Sequence, residues 1–454
     1  MAVKGATGHA HMRVVPLLII LAGLAAQACV ANESLWSHLD TAAGLGDVRA
    51  ATVEVAGSAT ARTLTLRATG GERYAWVSIP APVGGWDLTT RRAVEAVLTN
   101  VGEDPVEAML WAVADRGWES IADVAVLEPG ESRTFSCNLR KTFPDGTPKL
   151  EPTRAQGIQV MLKSPKAGQA VEVTGLVAAG AEPPWTRPPE KIDVPPVVEE
   201  GSPAAGRRVF YKVGDSHTGG EAQPAAVLWL PRDWKPGATY PMIVEYPGNI
   251  FFTAGCYSTG RPEQCVIGYG MTRGTGAIWI SLPFVDAGGR VAEHGWGDPD
   301  ATADFCVRAV EDVCERFGGD RNRIVLTGFS RGAIACGFIG LRNDQIAGLW
   351  RGLHCCQHYD GDGWNGSTPE GALERARRFR GVAVFHTDNA AEKVQPFVDA
   401  LGVPATIVAS GLGAHSCAMF LDDRESTRRL REWFTELTAT DAEGRTISRP
   451  RPTP

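Results

Sequence analysis

Between residues 35 and 180, apolar and polar positions alternate in short runs, as in Thr52-Val53-Glu54-Val55, Thr63-Leu64-Thr65-Leu66 and Ala75-Trp76-Val77-Ser78-Ile79. A period of two sends successive side chains to opposite faces of a strand. Further runs at 94–98, 108–113, 121–127, 158–162 and 170–176 are separated by turn residues such as Gly70-Gly71, Gly84-Gly85 and Glu128-Pro129-Gly130. Many short strands without a long helical period predict an all-β sandwich over 35–180.

After residue 205 the pattern changes. Continuous apolar runs at 209–213, 226–230, 242–246, 277–281, 323–327, 349–354, 382–386 and 405–408 predict eight strands, several of them buried on both faces. Helical stretches are expected at 300–317, 331–341, 369–378, 390–401 and 422–437. Strands alternating with helices predict an α/β domain over 206–437, built on a mostly parallel sheet with helices on both faces. The Pro-rich segment 181–205, with Pro183, Pro184, Pro188, Pro189, Pro195, Pro196 and Pro203, reads as a stiff extended linker. The polar, Pro-rich tail 438–454 is expected to be disordered.

Composition narrows the function classes. A chain of 454 residues with 44% hydrophobic and 21% charged residues can bury the cores of two or three domains. Its net charge of -7 argues against nucleic acid as a partner. Lys4 and Arg13 precede an apolar run over 14–26, too short to span a bilayer, and Ala26-Gln27-Ala28 offers a cleavage site. Residues 1–28 therefore read as an export signal, with Met12 as an alternative start. Export to the periplasm or medium is preferred to lipidation at Cys29, because Ala26 and Gln27 fit a lipobox poorly. The ten cysteines then become disulfide candidates. Cys256 with Cys265 and Cys336 with Cys417 are open pairings, buried thiols being the alternative. Cys306 and Cys314 sit about 12 Å apart along one helix and cannot pair with each other.

The candidate chemistry centres on Gly328-Phe329-Ser330-Arg331-Gly332, between a predicted strand and a predicted helix. Strand, Gly-x-Ser-x-Gly, helix is the context of a nucleophile elbow, whose glycines permit the sharp turn. A serine needs a base and an orienting acid. The base expected is His415, in the glycine-rich loop after the last strand. The acid expected is Asp388 after the seventh strand, with Glu392 and Asp360 as alternatives. Oxyanion donors are expected at the Arg331 amide and at the Asn249 or Ile250 amide; Pro247 has no N–H to give. His358, Tyr359 and Trp364 are expected to line a substrate pocket, with the 284–299 loop as another wall. His354-Cys355-Cys356-Gln357-His358 invites a zinc reading, but adjacent cysteines do not readily share one tetrahedral ion, so no metal or other cofactor is expected. Gly268-Tyr269-Gly270 and Gly274-Thr275-Gly276 read as loops rather than a dinucleotide site.

These motifs resemble known families. Eight strands with the elbow after the fifth, followed by Asp388 and His415 in that order, resemble the α/β-hydrolase fold. The Gly-x-Ser-Arg-Gly arrangement is similar to secreted carbohydrate esterases, including glucuronoyl esterases. There the residue before the serine is Cys and an Asn precedes the last glycine, so Phe329 and Gly332 depart from the pattern. That resemblance implies an oxyanion-assisting role for the Arg331 side chain; the alternative is a salt bridge to a surface acid. Trp86-Asp87-Leu88, Thr99-Asn100-Val101-Gly102 and Pro105-Val106 resemble jelly-roll, carbohydrate-binding-like domains, which suggests sugar binding; core or rim packing is the preferred reading of Trp86, Trp111 and Trp118, with sugar stacking the alternative. The function expected is an exported serine esterase acting on a carbohydrate or polysaccharide ester. Two alternatives stand beside it: a prolyl-oligopeptidase-like peptidase, for whose propeller the β region of about 150 residues is small, and a glycan-binding protein with an inactive hydrolase domain.

Overall fold

A computed structural model describes residues 32–39, 41–58, 61–114, 119–186, 194–214, 225–379, 381–403 and 405–440. The expected export signal, Cys29, Trp118, part of the linker and most of the tail lie outside them. The first region is a sandwich of two antiparallel sheets. One has the order Ala51–Ser58, Ala61–Ala68, Ala170–Ala181, Arg91–Asn100, Ser132–Asn138, with Glu33–Ser34 added on Ala170–Ala181. The other runs Val48–Arg49, Tyr74–Pro80, Ala155–Lys163, Val106–Ala114, Ser120–Leu127. Inward positions such as Leu64, Leu66, Val94 and Leu98 meet Val77, Ile79, Leu110 and Val160 in one core. The strand Ser132–Asn138 escaped the pattern analysis because only Phe135 and Cys137 along it are buried.

The second region holds an eight-stranded mixed sheet. Its strands are β1 (Arg208–Tyr211), β2 (Ala226–Trp229), β3 (Tyr240–Tyr246), β4 (Ile278–Ser281), β5 (Gly319–Phe329), β6 (Gly352–Cys356), β7 (Ala383–Asp388) and β8 (Ala405–Ala409). Their spatial order is β1-β2-β4-β3-β5-β6-β7-β8. The pairings β1–β2 and β2–β4 are antiparallel and the other five are parallel. Helices α1 (Ile267–Thr272), α2 (Pro299–Phe317), α3 (Arg331–Phe338), α4 (Asp344–Ala347), α5 (Pro369–Ala376), α6 (Ala391–Ala400) and α7 (Glu425–Thr438) accompany it. Ala303, Val310 and Val313 of α2 and Ile334 of α3 cover Val244, Ile280 and Leu326 on one face. Leu430, Trp433 and Phe434 of α7 cover Ile243, Trp279 and Val325 on the other. Double-sided burial explains the continuous apolar runs.

Three expectations need correction. α3 ends at Phe338, not 341. Gly268-Tyr269-Gly270 belongs to α1 rather than a loop. Its glycines serve close packing, since a Cβ on Gly268 would lie 2.3 Å from Trp279 and one on Gly270 2.3 Å from the Phe420 carbonyl. The described cysteines are free thiols, so neither Cys256–Cys265 nor Cys336–Cys417 is bonded; Cys336 instead lies against Cys355.

The sandwich and the α/β region fall within one compact unit. A hairpin after β3, Phe251–Thr253 paired with Cys256–Ser258, docks on the outer face of the five-stranded sheet. Phe252 enters a nest of Tyr74, Trp76, Trp111 and Tyr257, with ring centroids 4.8 to 6.1 Å away. Its amide donates to the Tyr74 hydroxyl at 3.1 Å, and the Tyr257 hydroxyl donates to Gln159 at 2.9 Å. Trp111 is consequently 1% exposed and Trp86 is buried too, so both pack inside the protein, as the preferred reading expects, and neither offers a face for sugar stacking. Phe252→Ala is expected to lower stability by about 3–5 kcal/mol in denaturant unfolding. Phe251→Ala, at a neighbouring exposed ring, is expected to cost below about 1 kcal/mol.

Candidate active site

Parallel pairing brings one rim of the sheet into register. Tyr246 pairs with Gly328, Gly328 with Cys355, Cys355 with His386, and His386 with Ile407. The loops leaving the carboxyl ends of β3, β5, β6, β7 and β8 therefore share one edge, the usual place for a site in such a sheet.

Ser330 stands at the tightest turn on that edge. Its backbone has φ 56° and ψ -117°, a conformation that non-glycine residues rarely adopt. Such a geometry costs on the order of 1–3 kcal/mol and persists only where the surroundings enforce it. They do so by contact. A Cβ on Gly328 would lie 2.3 Å from the Gly332 carbonyl carbon, and one on Gly332 would lie 2.1 Å from the Tyr246 oxygen. The Ser330 amide donates to the Cys356 carbonyl at 3.0 Å, and its own carbonyl accepts from Ala333 at 2.9 Å. Ser330 precedes α3, yet its side chain makes no capping bond, so the partly exposed hydroxyl stays free for other partners.

His415 lies on the loop after β8. Gln357 clamps that loop on both sides of the histidine: its Nε2 donates to the Ala414 carbonyl at 2.8 Å, and its Oε1 accepts from the Ser416 amide at 2.8 Å. Asn389 adds a donor to the same Ala414 carbonyl at 2.9 Å. Sequence reasoning missed both clamps; the signal for Gln357, a buried non-glycine residue with φ 63°, exists only in three dimensions. The His415 ring sits 4.7 Å from Phe329 of the elbow and 5.3 Å from His358. Burial, reinforced by His358 and opposed by Asp388, pulls the His415 pKa down to about 4. Among the described residues His415 makes no hydrogen bond to Ser330 or Asp388. Catalytic bonds in ligand-free sites are often long and tighten on substrate binding.

The three acid candidates separate. Asp388 ends β7, accepts the Ala390 amide at 3.0 Å and lies 3.7 Å from His386 Nε2. Burial acts to raise its pKa, but His386, the Ala390 amide and His358 together hold it below the usual value. Asp388 is also the one of the three whose charge acts on His415. Asp360 is set aside because its carboxylate is taken: Arg375 donates to both oxygens at 2.6 and 2.7 Å, and Ser367 at 2.8 Å. Glu392 is exposed in the first turn of α6, where an acid suits the helix N-terminus.

The oxyanion candidates also divide. Ile250 is withdrawn, since its amide donates to the Glu293 carbonyl at 2.9 Å. Arg331, as the first residue of α3, has an amide outside the helical bonding pattern. The Asn249 amide has no protein acceptor among the described residues. Its side chain bridges loops instead, accepting from Gly295 N at 3.0 Å and donating to Ile250 O at 3.0 Å.

The Arg331 side chain follows neither expectation. It is 1% exposed, so it forms no surface salt bridge. Nη1 donates to the Ala292 and Gly295 carbonyls at 3.0 and 2.8 Å, and Nη2 to the Gly248 and Gly260 carbonyls at 2.9 Å each. These bonds occupy both terminal nitrogens, which removes them from any oxyanion. The guanidinium lies 4.0 Å from the Phe284 ring centroid, a cation–π contact. Burial lowers its pKa to about 9. Arg331 is thus a staple that fixes the loop after β3 and the 284–299 wall against the elbow.

The expected pocket residues lie on the same edge. His358 pairs with Asp362 at 2.8 Å and faces His415. Tyr359 stacks on Phe397 at 4.2 Å, and Trp364 meets Trp296 edge-on at 5.1 Å. His354 has both ring nitrogens engaged, with Thr327 at 2.8 Å and Thr387 at 3.1 Å, so it is not poised to bind a metal. A pocket runs between the sandwich and this edge, lined by Trp111, Phe143, Lys149, Gly248, Phe329 and His415 among others. Ser330 lies next to that lining rather than in it.

No family model and no curated protein matches the chain. Among solved structures it is similar to an exo-beta-agarase at 12% identity, covering 37% of this chain and 27% of that one, with a TM-score of 0.26. The chain thus spans about a quarter of that agarase. It is similar to a thermostable esterase at 15% identity, covering 75% of this chain and 94% of that one, with a TM-score of 0.35. An esterase from Thermogutta terrifontis shares 18% identity over 54% of this chain and 96% of its own, with a TM-score of 0.31. At these scores and identities the likenesses carry no argument about fold or activity.

Arg331→Met is expected to destabilise the protein by about 3–5 kcal/mol, because four buried carbonyls lose their donors. Arg331→Lys is expected to recover less than half of that loss, since an ammonium cannot reproduce the planar fork. Urea unfolding of both variants checks the pair.

Proposed function

We propose that this chain is an exported serine hydrolase of the α/β-hydrolase fold that cleaves a carboxylic ester, with the sandwich as a fixed part of the enzyme. The observation that carries the reading is Ser330: a strained, glycine-flanked turn holds its hydroxyl uncapped, and a loop histidine, His415, packs against the ring of the preceding Phe329. Strand order and the parallel pairings around β5 support the fold assignment. Support for a carbohydrate-borne ester comes from the resemblance of the elbow and of the sandwich segment to secreted carbohydrate enzymes.

In this mechanism Ser330 Oγ attacks the ester carbonyl carbon while His415 accepts the hydroxyl proton. The negative oxygen of the tetrahedral intermediate is held by the Arg331 and Asn249 amides. The carbon–alkoxide bond then breaks, His415 protonates the leaving alcohol, and an acyl-serine remains. Water, deprotonated by His415, releases the acid and restores Ser330. Asp388 orients His415 and stabilises its charged form.

Ser330→Ala is expected to lower kcat/KM for p-nitrophenyl acetate by at least ~10³-fold. Activity unchanged in that variant would remove Ser330 from the mechanism. Asp388→Asn is expected to lose at least ~10²-fold and Glu392→Gln less than about threefold; the reverse order would move the acid to Glu392.

The pH profile gives a separate check. A base must be neutral, and His415 gains its proton only below about 4. The acid limb of kcat/KM is therefore expected near pH 4, with a plateau through neutrality, rather than near the usual histidine value of about 6.5.

A further inference from the structure

The sandwich reaches the active site through an arm, residues 141–149. A bridge between Thr142 and Pro148 and a bond from the Lys149 amide to the Lys141 carbonyl at 3.1 Å close the arm on itself. Its tip locks onto the loop that carries His415. Phe143 is buried with Phe329, Leu412 and Phe420. Asp145 pairs with Arg424 at 2.7 Å, and Pro144 lies so near Gly413 that a Cβ there would be 3.2 Å from it.

Lys149, at the base of the arm, lines the pocket shared with His415 and Phe329. Its ammonium is 5.1 Å from the Phe143 ring centroid, and no carboxylate pairs with it among the described residues. The one carboxylate in the pocket lining, Glu245, is otherwise engaged. It accepts the Val266, Ile267 and Gly268 amides and the Trp279 indole, at 2.8 to 3.1 Å. Burial, together with the nearby Lys141, disfavours the charged form of Lys149. A half-buried ammonium without a carboxylate partner, in the lining of a pocket that also contains His415, is a site for an anion supplied by the ligand.

We propose that Lys149 is a specificity-determining residue that binds a carboxylate on the substrate, so that the favoured esters carry an acidic group within reach of the pocket. This rests on the hydrolase reading. It makes the sandwich a contributor to substrate choice rather than an appended binding module.

Three esters test it: p-nitrophenyl acetate (neutral), p-nitrophenyl hemisuccinate (carboxylate on the acyl side) and 4-acetoxybenzoate (carboxylate on the alcohol side). The wild type is expected to favour one acidic ester over the neutral one. Lys149→Met is expected to reduce that preference about ten- to a hundredfold, chiefly through KM, and Lys149→Arg to retain most of it. Equal preference ratios in wild type and Lys149→Met would overturn the proposal while leaving the hydrolase reading intact. If none of the three is hydrolysed in a Ser330-dependent way, the hydrolase reading has failed instead. Calorimetric titration with succinate then decides the Lys149 site: binding lost in Lys149→Met supports it, and equal or absent binding in both proteins overturns it.

Discussion

The site depends on one steric constraint, the approach of the Gly332 backbone to the Tyr246 carbonyl. No side chain fits between them. With Gly328 equally tight against Gly332, the chain leaving β5 must turn within a single residue, and that residue is Ser330. The strain of its positive φ is sustained by the parallel pairing of β3, β5 and β6 on either side. Everything else on the edge is placed relative to this turn. Arg331, the next residue, carries the constraint outward by tying four loop carbonyls to the start of α3. Gln357 does the same for the His415 loop from the end of β6. A buried guanidinium and a buried amide thus tie the loops around this turn into one arrangement, the kind of positioning that the proposed nucleophilic mechanism needs.

The second theme is reciprocal anchoring of the two regions. The α/β region sends a hairpin into the aromatic face of the sandwich, and the sandwich sends an arm back onto the His415 loop. Glu293 adds polar ties, pairing with Arg49 of the sandwich and with Arg261 at 2.6 Å. The buried rings of Phe252, Tyr74 and Trp111 make this an apolar interface of the kind that holds domains rigidly rather than letting them swing. Trp111 therefore serves assembly rather than sugar stacking, and the arm carrying Phe143 and Lys149 is part of what the sandwich contributes to the pocket lining.

How much of this was legible in the sequence follows from the range of each interaction. The strands and most helices were legible because periodicity reports local burial. The tight turn at Ser330, and the places of Asp388 at the end of β7 and His415 in the loop after β8, were legible because strand, turn and loop chemistry are local too. What escaped was set by distant partners. The fate of the Ile250 amide depends on Glu293, that of Asp360 on Arg375, and that of the Arg331 guanidinium on three separate loops. Packing was the favoured reading of Trp111, but its partner was not legible, because nothing nearby in sequence announces the hairpin that covers it. Gly268-Tyr269-Gly270 reads as a loop in sequence because it lacks the helix-opening spacing of a dinucleotide site; its place in α1 is set by close packing against Trp279 and Phe420.

The central claim is that the backbone turn at 328–332 makes Ser330 a nucleophile. Reacting the wild-type protein with a fluorophosphonate and mapping the adduct by peptide mass spectrometry tests it most directly, because the reagent forms a stable bond only with an activated hydroxyl. The account predicts one phosphonylated peptide, modified at Ser330, and no adduct after Ser330→Ala. An unlabelled wild type, or a label on another residue that survives Ser330→Ala, would contradict it.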